Sequence, residues 1–214
     1  AIAVPLACGN TVILKASETC PRTHELIIEA FAAAGFPEGV VNVVTNAPED
    51  AAAVVEALVR HKAVRRVNFT GSTAVGRIIG RLCGEELKPA LLELGGKAPM
   101  IILDDADLDE AVAAAAFGAF MNSGQICMST ERIVTVDAIA DAFVSKFNDK
   151  VMTMKAGDPA TGNTPLGSVA DVRAPQKIAA LIDDAISKGA QLHVAAEPSG
   201  TLISAGFLDR VTPE

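Results

Sequence analysis

A single cysteine behind a glycine loop is the residue of this chain best suited to covalent chemistry. Asn122-Ser123-Gly124-Gln125-Ile126 precedes Cys127 and follows an apolar, alanine-rich segment. A thiol presented by such a loop becomes a nucleophile when its surroundings favour the thiolate. The alternative is a buried, inert cysteine, and the sequence leaves both open. Cys8, Cys20 and Cys83 lie in or beside helical patterns without acid–base neighbours, so we expect them to be packed.

A glutamate stands inside the apolar stretch Leu92-Glu93-Leu94, just before Gly95-Gly96. An ionised carboxylate is costly to desolvate, and desolvation would make Glu93 a stronger general base. The alternative is a strand whose alternation turns Glu93 toward solvent. The residues alone do not decide between the two.

Lys15-Ala16-Ser17-Glu18 directly follows a strand-like run, and nucleotides bind beyond the carboxyl ends of strands in open α/β sheets. A carboxylate there accepts hydrogen bonds from both ribose hydroxyls, and a lysine donates to them. The alternative is a solvated loop with two surface charges.

A third candidate for nucleotide binding is the strand–turn–helix pattern around Gly71 and Ser72. Glycine lets the backbone approach a ligand, and a helix N-terminus offers free N–H groups to phosphate. The glycines Gly71 and Gly76 are five apart, so this is not the dinucleotide-binding fingerprint. The alternative is a plain turn in which Ser72 caps the helix.

Short apolar runs alternate with helical patterns, which predicts an α/β fold whose sheet is mainly parallel with helices on both faces. The first half fits a mononucleotide-binding pattern, and a domain boundary is expected at the Gly95–Gly96 pair. We expect the segment 208–214 to run into a turn. Predicted strands are 11–14, 40–44, 66–69, 90–94, 100–103, 132–136 and 191–194; predicted helices are 21–34, 48–60, 72–83, 108–121, 138–152 and 172–188.

Composition excludes several classes of function. The 214 residues are half hydrophobic and carry a net charge of −8, without a basic cluster, which argues against nucleic acid as a partner. No apolar run approaches the roughly 18 residues of a membrane helix, so no membrane association is expected. The cysteines show no metal-binding spacing, so no metal is expected and the thiols are predicted to be reduced in a cytoplasmic protein. His24, His61 and His193 stand alone, so we expect no Cys–His pair and disfavour a papain-like hydrolase.

Taken together, the motifs resemble the aldehyde dehydrogenase superfamily. The resemblance implies a Rossmann-like, parallel-sheet cofactor domain over residues 1–95. Part of an α/β catalytic domain would follow over residues 96–214, and this fold would be truncated at both ends. The matching stretches are GNTVILKASE (9–18), GFPEGVVNVV (35–44), NFTGSTAVGR (68–77), LLELGGKAP (91–99), SGQICMSTER (123–132) and RVTPE (210–214).

The resemblance also implies roles for individual residues. Cys127 would attack an aldehyde, forming a thiohemiacetal and then a thioester, and Glu93 would activate the water that releases the acid. Lys15 and Glu18 would hold the adenosine ribose. The pyrophosphate would lie near the turn formed by Gly71 and Ser72. The implied cofactor is NAD, with NADP less preferred because a 2′-phosphate would meet a carboxylate. The implied partners are a small-molecule aldehyde and other copies of the full-length protein, in a dimer or tetramer.

The chain departs from the family pattern in places. Ala16 stands where family members usually have proline, so this loop is expected to be less stiff. The family's oxyanion-hole asparagine and its downstream ribose-binding glutamate are expected outside these 214 residues, so the segment alone is expected to be inactive.

GQICMSTER (124–132) and VVTNAPED (43–50) most resemble bacterial enzymes that act on salicylaldehyde, vanillin or benzaldehyde. Two alternatives are a non-catalytic protein on the same fold and a thiol esterase that uses Cys127 and Glu93 without a cofactor. A scaffold needs neither side chain, which disfavours the first.

Overall fold

The structure is a computed structural model that describes residues 1–162 and 164–212. Pro213 and Glu214, the end of the RVTPE stretch, lie outside the described residues. The strands are β1 Val12–Lys15, β2 Val41–Val44, β3 Val67–Gly71, β4 Ala90–Leu94, β5 Ala98–Ile102, β6 Thr130–Thr135, β7 Gln191–Val194 and β8 Gly206–Asp209. The helices are α1 Ala3–Ala7, α2 Pro21–Ala33, α3 Ala51–Arg60, α4 Thr73–Glu85, α5 Leu108–Phe120, α6 Asp137–Met152 and α7 Ala174–Ser187.

The chain forms two compact units, Ala1–Leu94 and Gly95–Glu214. In the first unit β1 pairs with β2 and β3 pairs with β4, both in parallel. Helix α2 packs on β2, and α4 packs on β3 and β4. A small apolar core between α3, α4 and the β3–β4 pair consists of Val59, Ile79, Leu82 and Cys83 with Val55, Val67, Phe69 and Leu92 around them.

The second unit is built around α5 and α6, which pack on each other and on the parallel pair β5–β6. Three alanines and one valine of α5 face this core, where the Phe147 ring packs against those of Phe120, Phe143 and Phe207. The Phe143 and Phe147 rings are 5.4 Å apart and stacked, and Phe207 meets Phe147 edge-on at 5.0 Å. The buried residues of the core are Ile102, Ala111, Val112, Ala115, Ala116, Phe143, Phe147, Val151, Leu166 and Ala205.

The three parallel pairs confirm the predicted α/β class with parallel strands. The expectation for the end of the chain was wrong in part, because Gly206–Asp209 is a strand that pairs antiparallel with β7. This short segment becomes a strand through a partner that lies more than ten residues away, which local sequence patterns do not reveal.

In the part of the chain that the structure describes, no helix combines the length and apolarity needed to span a bilayer. The same residues contain no group of three or more histidine, cysteine, aspartate or glutamate side chains placed to hold a metal ion.

Candidate active site

A cleft of about 410 Å³ lies where β1 and β2 end. The parallel register pairs Lys15 with Val44, the last residues of the two strands, so the segments that follow them lie side by side. The cleft is lined by Ala16, Ser17, Glu18, Pro21, Thr45, Asn46 and Ala47. The first unit therefore provides a recess at the position where open α/β sheets bind nucleotides.

The cleft contains the predicted Lys15–Glu18 pair, which the structure brings together. Lys15 Nζ lies 2.5 Å from Glu18 Oε1 and also donates to the Ala16 carbonyl at 3.0 Å. Asn46 Nδ2 donates to the same Glu18 oxygen at 2.9 Å. The side chains of Lys15 and Glu18 are only 20% and 24% exposed, so they do not form a fully solvated loop.

These contacts change the acidity of Glu18. The hydrogen bond from Lys15 lowers the pKa of Glu18 most, followed by the bond from Asn46, and the pKa falls from 4.5 to about 2. The carboxylate therefore stays ionised well below neutral pH, and in this form both of its oxygens act only as hydrogen-bond acceptors.

The departure at Ala16 has a structural consequence. The Ala16 N–H donates to the Val44 carbonyl at 2.8 Å and extends the β1–β2 ladder by one bond. A proline cannot make this bond because it has no N–H. Ala16 is buried, so a hydrogen bond holds the start of this loop in place of a proline ring.

The second predicted nucleotide segment lies at the carboxyl end of the β3–β4 pair. Ser72 is the N-cap of α4 and its Oγ accepts from the Val75 N–H at 3.3 Å, as the capping alternative predicts. Position 71 favours glycine for a local steric reason, because a Cβ there would lie 2.5 Å from the ring of Phe69.

Glu93 lies in register with Thr70, one position before the pair formed by Gly71 and Leu94. The structure therefore brings Glu93 and the turn that contains Gly71 to the same end of two adjacent strands. Glu93 is exposed while Leu92 and Leu94 are half-buried, so of the two alternatives the structure shows the strand whose alternation turns Glu93 toward solvent.

Cys127 belongs to the second unit and follows a sharp change of direction at the end of α5. Three successive residues have left-handed backbones: Asn122 at φ 52°, Ser123 at φ 55° and Gly124 at φ 70°. Only glycine adopts this region freely, and asparagine tolerates it better than most other residues. The turn ends the helix and leaves Cys127 exposed, so the buried alternative does not apply.

Gln125, which the sequence analysis did not single out, ties this loop to the segment 167–170. Its Oε1 accepts from the Ala170 N–H at 2.8 Å. Its Nε2 donates to the Asn122 carbonyl at 3.2 Å, and Ser123 Oγ donates to the Gly167 carbonyl at 3.3 Å. The bonds to Ala170 and Gly167 each span more than forty residues of sequence, so spacing along the chain gives no sign of them.

The glycine pair after β4 approaches the cysteine loop within the second unit. A Cβ on Gly96 would lie 3.4 Å from the Cys127 carbonyl oxygen. Lys97 also forms an ion pair with Glu131 on β6. Within the second unit, Gly96 and Lys97 therefore lie against the SGQICMSTER stretch through a close backbone approach and one ion pair.

Two expectations about cysteines were wrong. Cys8 and Cys20 are exposed, and only Cys83 is buried, where burial raises the pKa of its thiol. Helical spacing near Cys8 and Cys20 does not specify which residues another element covers.

A cysteine–histidine contact also exists, since Cys20 Sγ lies 3.8 Å from His24 Nδ1. The same nitrogen lies 3.1 Å from the Cys20 carbonyl, which can only accept. A protonated Nδ1 that donates to this carbonyl has no lone pair left to accept the thiol proton, so this hydrogen bond competes with a role for His24 as a base.

Comparison with known proteins establishes the family. The sequence model described as "Aldehyde dehydrogenase family" matches residues 1–214. The chain belongs to the aldehyde dehydrogenase family. It is 59% identical over 214 residues to a vanillin dehydrogenase of Pseudomonas sp. (strain HR199 / DSM 7063), covering 100% of this chain and 44% of that protein.

Solved structures of aldehyde dehydrogenases show the same fold. A salicylaldehyde dehydrogenase from Pseudomonas putida G7, complexed with salicylaldehyde, superposes with a TM-score of 0.95 at 46% identity, over 99% of this chain and 44% of that one. The chain thus spans less than half the length of these relatives.

Similar structures include users of both nicotinamide cofactors. An NAD-dependent benzaldehyde dehydrogenase from Corynebacterium glutamicum has a TM-score of 0.90 at 36% identity, over 99% of this chain and 46% of that one. An NADP-dependent glyceraldehyde-3-phosphate dehydrogenase from Bacillus halodurans C-125, complexed with NADP, has the same TM-score and identity and covers 99% and 43%.

Proposed function

We propose that the protein to which this chain belongs oxidises an aromatic aldehyde to the carboxylic acid, with NAD preferred over NADP. The observation that supports this most directly is the exposed Cys127 on a loop fixed by left-handed residues and by Gln125. The similarity to vanillin and salicylaldehyde dehydrogenases supports an aromatic substrate. In this proposal residues 1–95 form part of the NAD-binding domain and residues 96–214 part of the catalytic domain.

Cys127 is the proposed nucleophile. Its thiolate adds to the carbonyl carbon, and the carbonyl oxygen becomes the alkoxide of a thiohemiacetal. Among the described residues, nothing accepts a hydrogen bond from the Cys127 N–H, so this donor is free to stabilise the oxyanion. Loss of hydride from the same carbon converts the thiohemiacetal into a thioester.

Glu93 is the proposed general base for the second half of the reaction. It takes a proton from water, the resulting hydroxide adds to the thioester carbonyl, and the Cys127 thiolate leaves. The products are the carboxylic acid and the regenerated thiolate. An exposed carboxylate is reachable by water, which this role requires.

The cleft of the first unit fits the adenosine ribose of NAD. Lys15 and Glu18 would bind that ribose, and the turn formed by Gly71 and Ser72 would lie near the pyrophosphate. Within the described residues no side chain donates to Glu18 Oε2, so the cleft retains an acceptor for a ligand. Bound NAD supplies the hydride acceptor of the reaction. The Glu18 carboxylate repels a 2′-phosphate, which supports the preference for NAD, and Lys15 offsets part of that repulsion.

Substitution of the nucleophile tests this function. In the full-length protein, Cys127→Ser should lower aldehyde-dependent NADH formation by several orders of magnitude, the scale expected for loss of a nucleophile. Cys8→Ser is the matched control, because Cys8 is also exposed but lies outside the site. Near-normal turnover in Cys127→Ser would contradict the proposal. NADH formation also separates it from a thiol esterase, which needs no cofactor, and from a non-catalytic protein.

The role of Glu93 has its own test. Glu93→Gln keeps the shape of the side chain and removes the base, so one burst of NADH per site should precede slow turnover. Rapid mixing of the variant with NAD and aldehyde measures both phases. A steady-state rate equal to that of the wild type would exclude Glu93 as the base.

A further inference from the structure

We propose that Asn46 is a specificity-determining residue of the cofactor cleft, because it fixes Glu18 in the position that favours NAD over NADP. The proposal rests on the proposed function, in which this cleft holds the adenosine ribose. Sequence analysis gave Asn46 no role, since it lies 28 residues after Glu18 and only the β1–β2 pairing brings them together.

The orientation of the Asn46 amide follows from its neighbours. Nδ2 lies 2.9 Å from Glu18 Oε1 and 2.7 Å from the Ala47 carbonyl oxygen. Both neighbours only accept hydrogen bonds, so the NH₂ group must face them. Oδ1 then points the other way, where it is buried without a partner.

The donors around Glu18 converge on one of its two oxygens. Lys15 Nζ and Asn46 Nδ2 both bind Oε1. Within residues 1–162 and 164–212, no side chain donates to Oε2. Lys15 at the carboxyl end of β1 and Asn46 just after the carboxyl end of β2 thus hold the carboxylate from two neighbouring strands, and they leave Oε2 available to a ligand.

Glu18 Oε2 is therefore left as an acceptor for a ligand, beside the shared Oε1. A ribose with free 2′ and 3′ hydroxyls has donors for such oxygens. A 2′-phosphate replaces one of those donors with an acceptor group of charge about −1.5 to −2 and meets the fixed carboxylate. Without Asn46, Lys15 would be the one side chain among the described residues left to hold Glu18, and the carboxylate could turn away from the phosphate.

The competing explanation is that Asn46 only stabilises the turn after β2, through its bond to the Ala47 carbonyl. Asn42 on the same strand offers a matched control. Its Nδ2 bonds only backbone carbonyls, those of Gly39 at 2.9 Å and Val12 at 3.3 Å. Asn42 lies before the cleft and does not line it.

The experiment compares full-length wild type, Asn46→Ala and Asn42→Ala by calorimetric titration with ADP-ribose and with ADP-ribose 2′-phosphate. KM and kcat for NAD and NADP are measured alongside. We expect Asn46→Ala to lower the preference for the unphosphorylated ligand about tenfold, the scale of one lost hydrogen bond to a charged group. The KM for NAD should rise while kcat at saturating NAD stays near the wild-type value. Asn42→Ala should keep the wild-type preference.

If the ratio of the two dissociation constants in Asn46→Ala equals that of the wild type, the proposal is overturned. This holds whether both affinities stay the same or both fall by the same factor. If Asn46→Ala does not fold, Asn46→Ser is judged by the same ratio. Failure of the proposed function looks different, because the wild type itself would then bind neither ligand.

Discussion

At the scale of single residues, Glu18 makes stability depend on pH. The pKa of Glu18 is lowered from 4.5 to about 2 in the folded chain, mainly by Lys15 and then by Asn46. A carboxyl group with a depressed folded-state pKa contributes stability above its unfolded value, and the contribution is lost as the pH falls toward the folded value. The Lys15–Glu18 pair therefore stabilises fully above the ordinary pKa and progressively less between 4.5 and about 2.

We predict that Glu18→Gln is destabilised relative to wild type at neutral pH and that the difference shrinks as the pH falls below 4.5. Urea unfolding at a series of pH values measures this difference in the free energy of unfolding. Glu49→Gln is the control, because Glu49 forms no ion pair within the described part of the chain and its difference from wild type should not follow this pattern. A Glu18→Gln difference that stays constant with pH would contradict the prediction.

Only some residues of the candidate site could be predicted from the sequence. The placement of Lys15 and Glu18 at the carboxyl end of β1 was predictable, because an apolar strand-like run directly precedes them. Asn46 and Gln125 were not, because their partners are distant in sequence. The exposure of Cys8 and Cys20 depends on which elements cover them, and local pattern does not contain that information.

At the scale of secondary-structure elements, Ser72 has two separable roles. As the N-cap of α4 it binds the Val75 N–H, and replacing such a cap with alanine costs about 1 kcal/mol. Its second role, which is proposed, is to lie near the pyrophosphate of the cofactor. Aspartate caps as well as serine but adds a negative charge, so it keeps the first role and opposes the second.

We predict that Ser72→Ala lowers the free energy of unfolding by about 1 kcal/mol, while Ser72→Asp stays near wild type in stability yet binds NADH more weakly. Urea unfolding and NADH fluorescence titration measure the two effects. Asp107→Ala removes the cap of α5, where Asp107 accepts from Asp109 and Glu110, and should lose stability without a change in NADH affinity. Wild-type affinity in Ser72→Asp would place the pyrophosphate elsewhere.

Most elements follow from sequence, with ends that differ by a few residues. Strands β4 and β7 coincide with their predicted bounds because apolar runs are closed by glycine or turn residues. The helix predicted over 48–60 begins instead as a 3₁₀ turn, Pro48–Asp50, before α3. Strand β8 was missed because its existence depends on β7.

At the scale of the whole molecule, the thiols differ in access. Cys83, on the buried face of α4, is 1% exposed, whereas Cys127 is exposed to solvent. We predict that a thiol reagent modifies Cys127 rapidly and Cys83 only after unfolding, and that loss of activity follows the modification of Cys127. Peptide mapping by mass spectrometry at successive times measures both. Activity that survives complete modification of Cys127 would contradict its assignment as the nucleophile.

The left-handed turn before Cys127 also limits which sequences this protein can tolerate. Asn122 and Ser123 hold φ values near 50°, where a β-branched side chain clashes with its own backbone and proline cannot go at all. A library randomised at these two positions and selected for folded, active protein should return glycine, asparagine, aspartate and serine, and lose valine, isoleucine and proline. Substitution there is restricted by backbone geometry, although neither side chain takes part in the proposed chemistry.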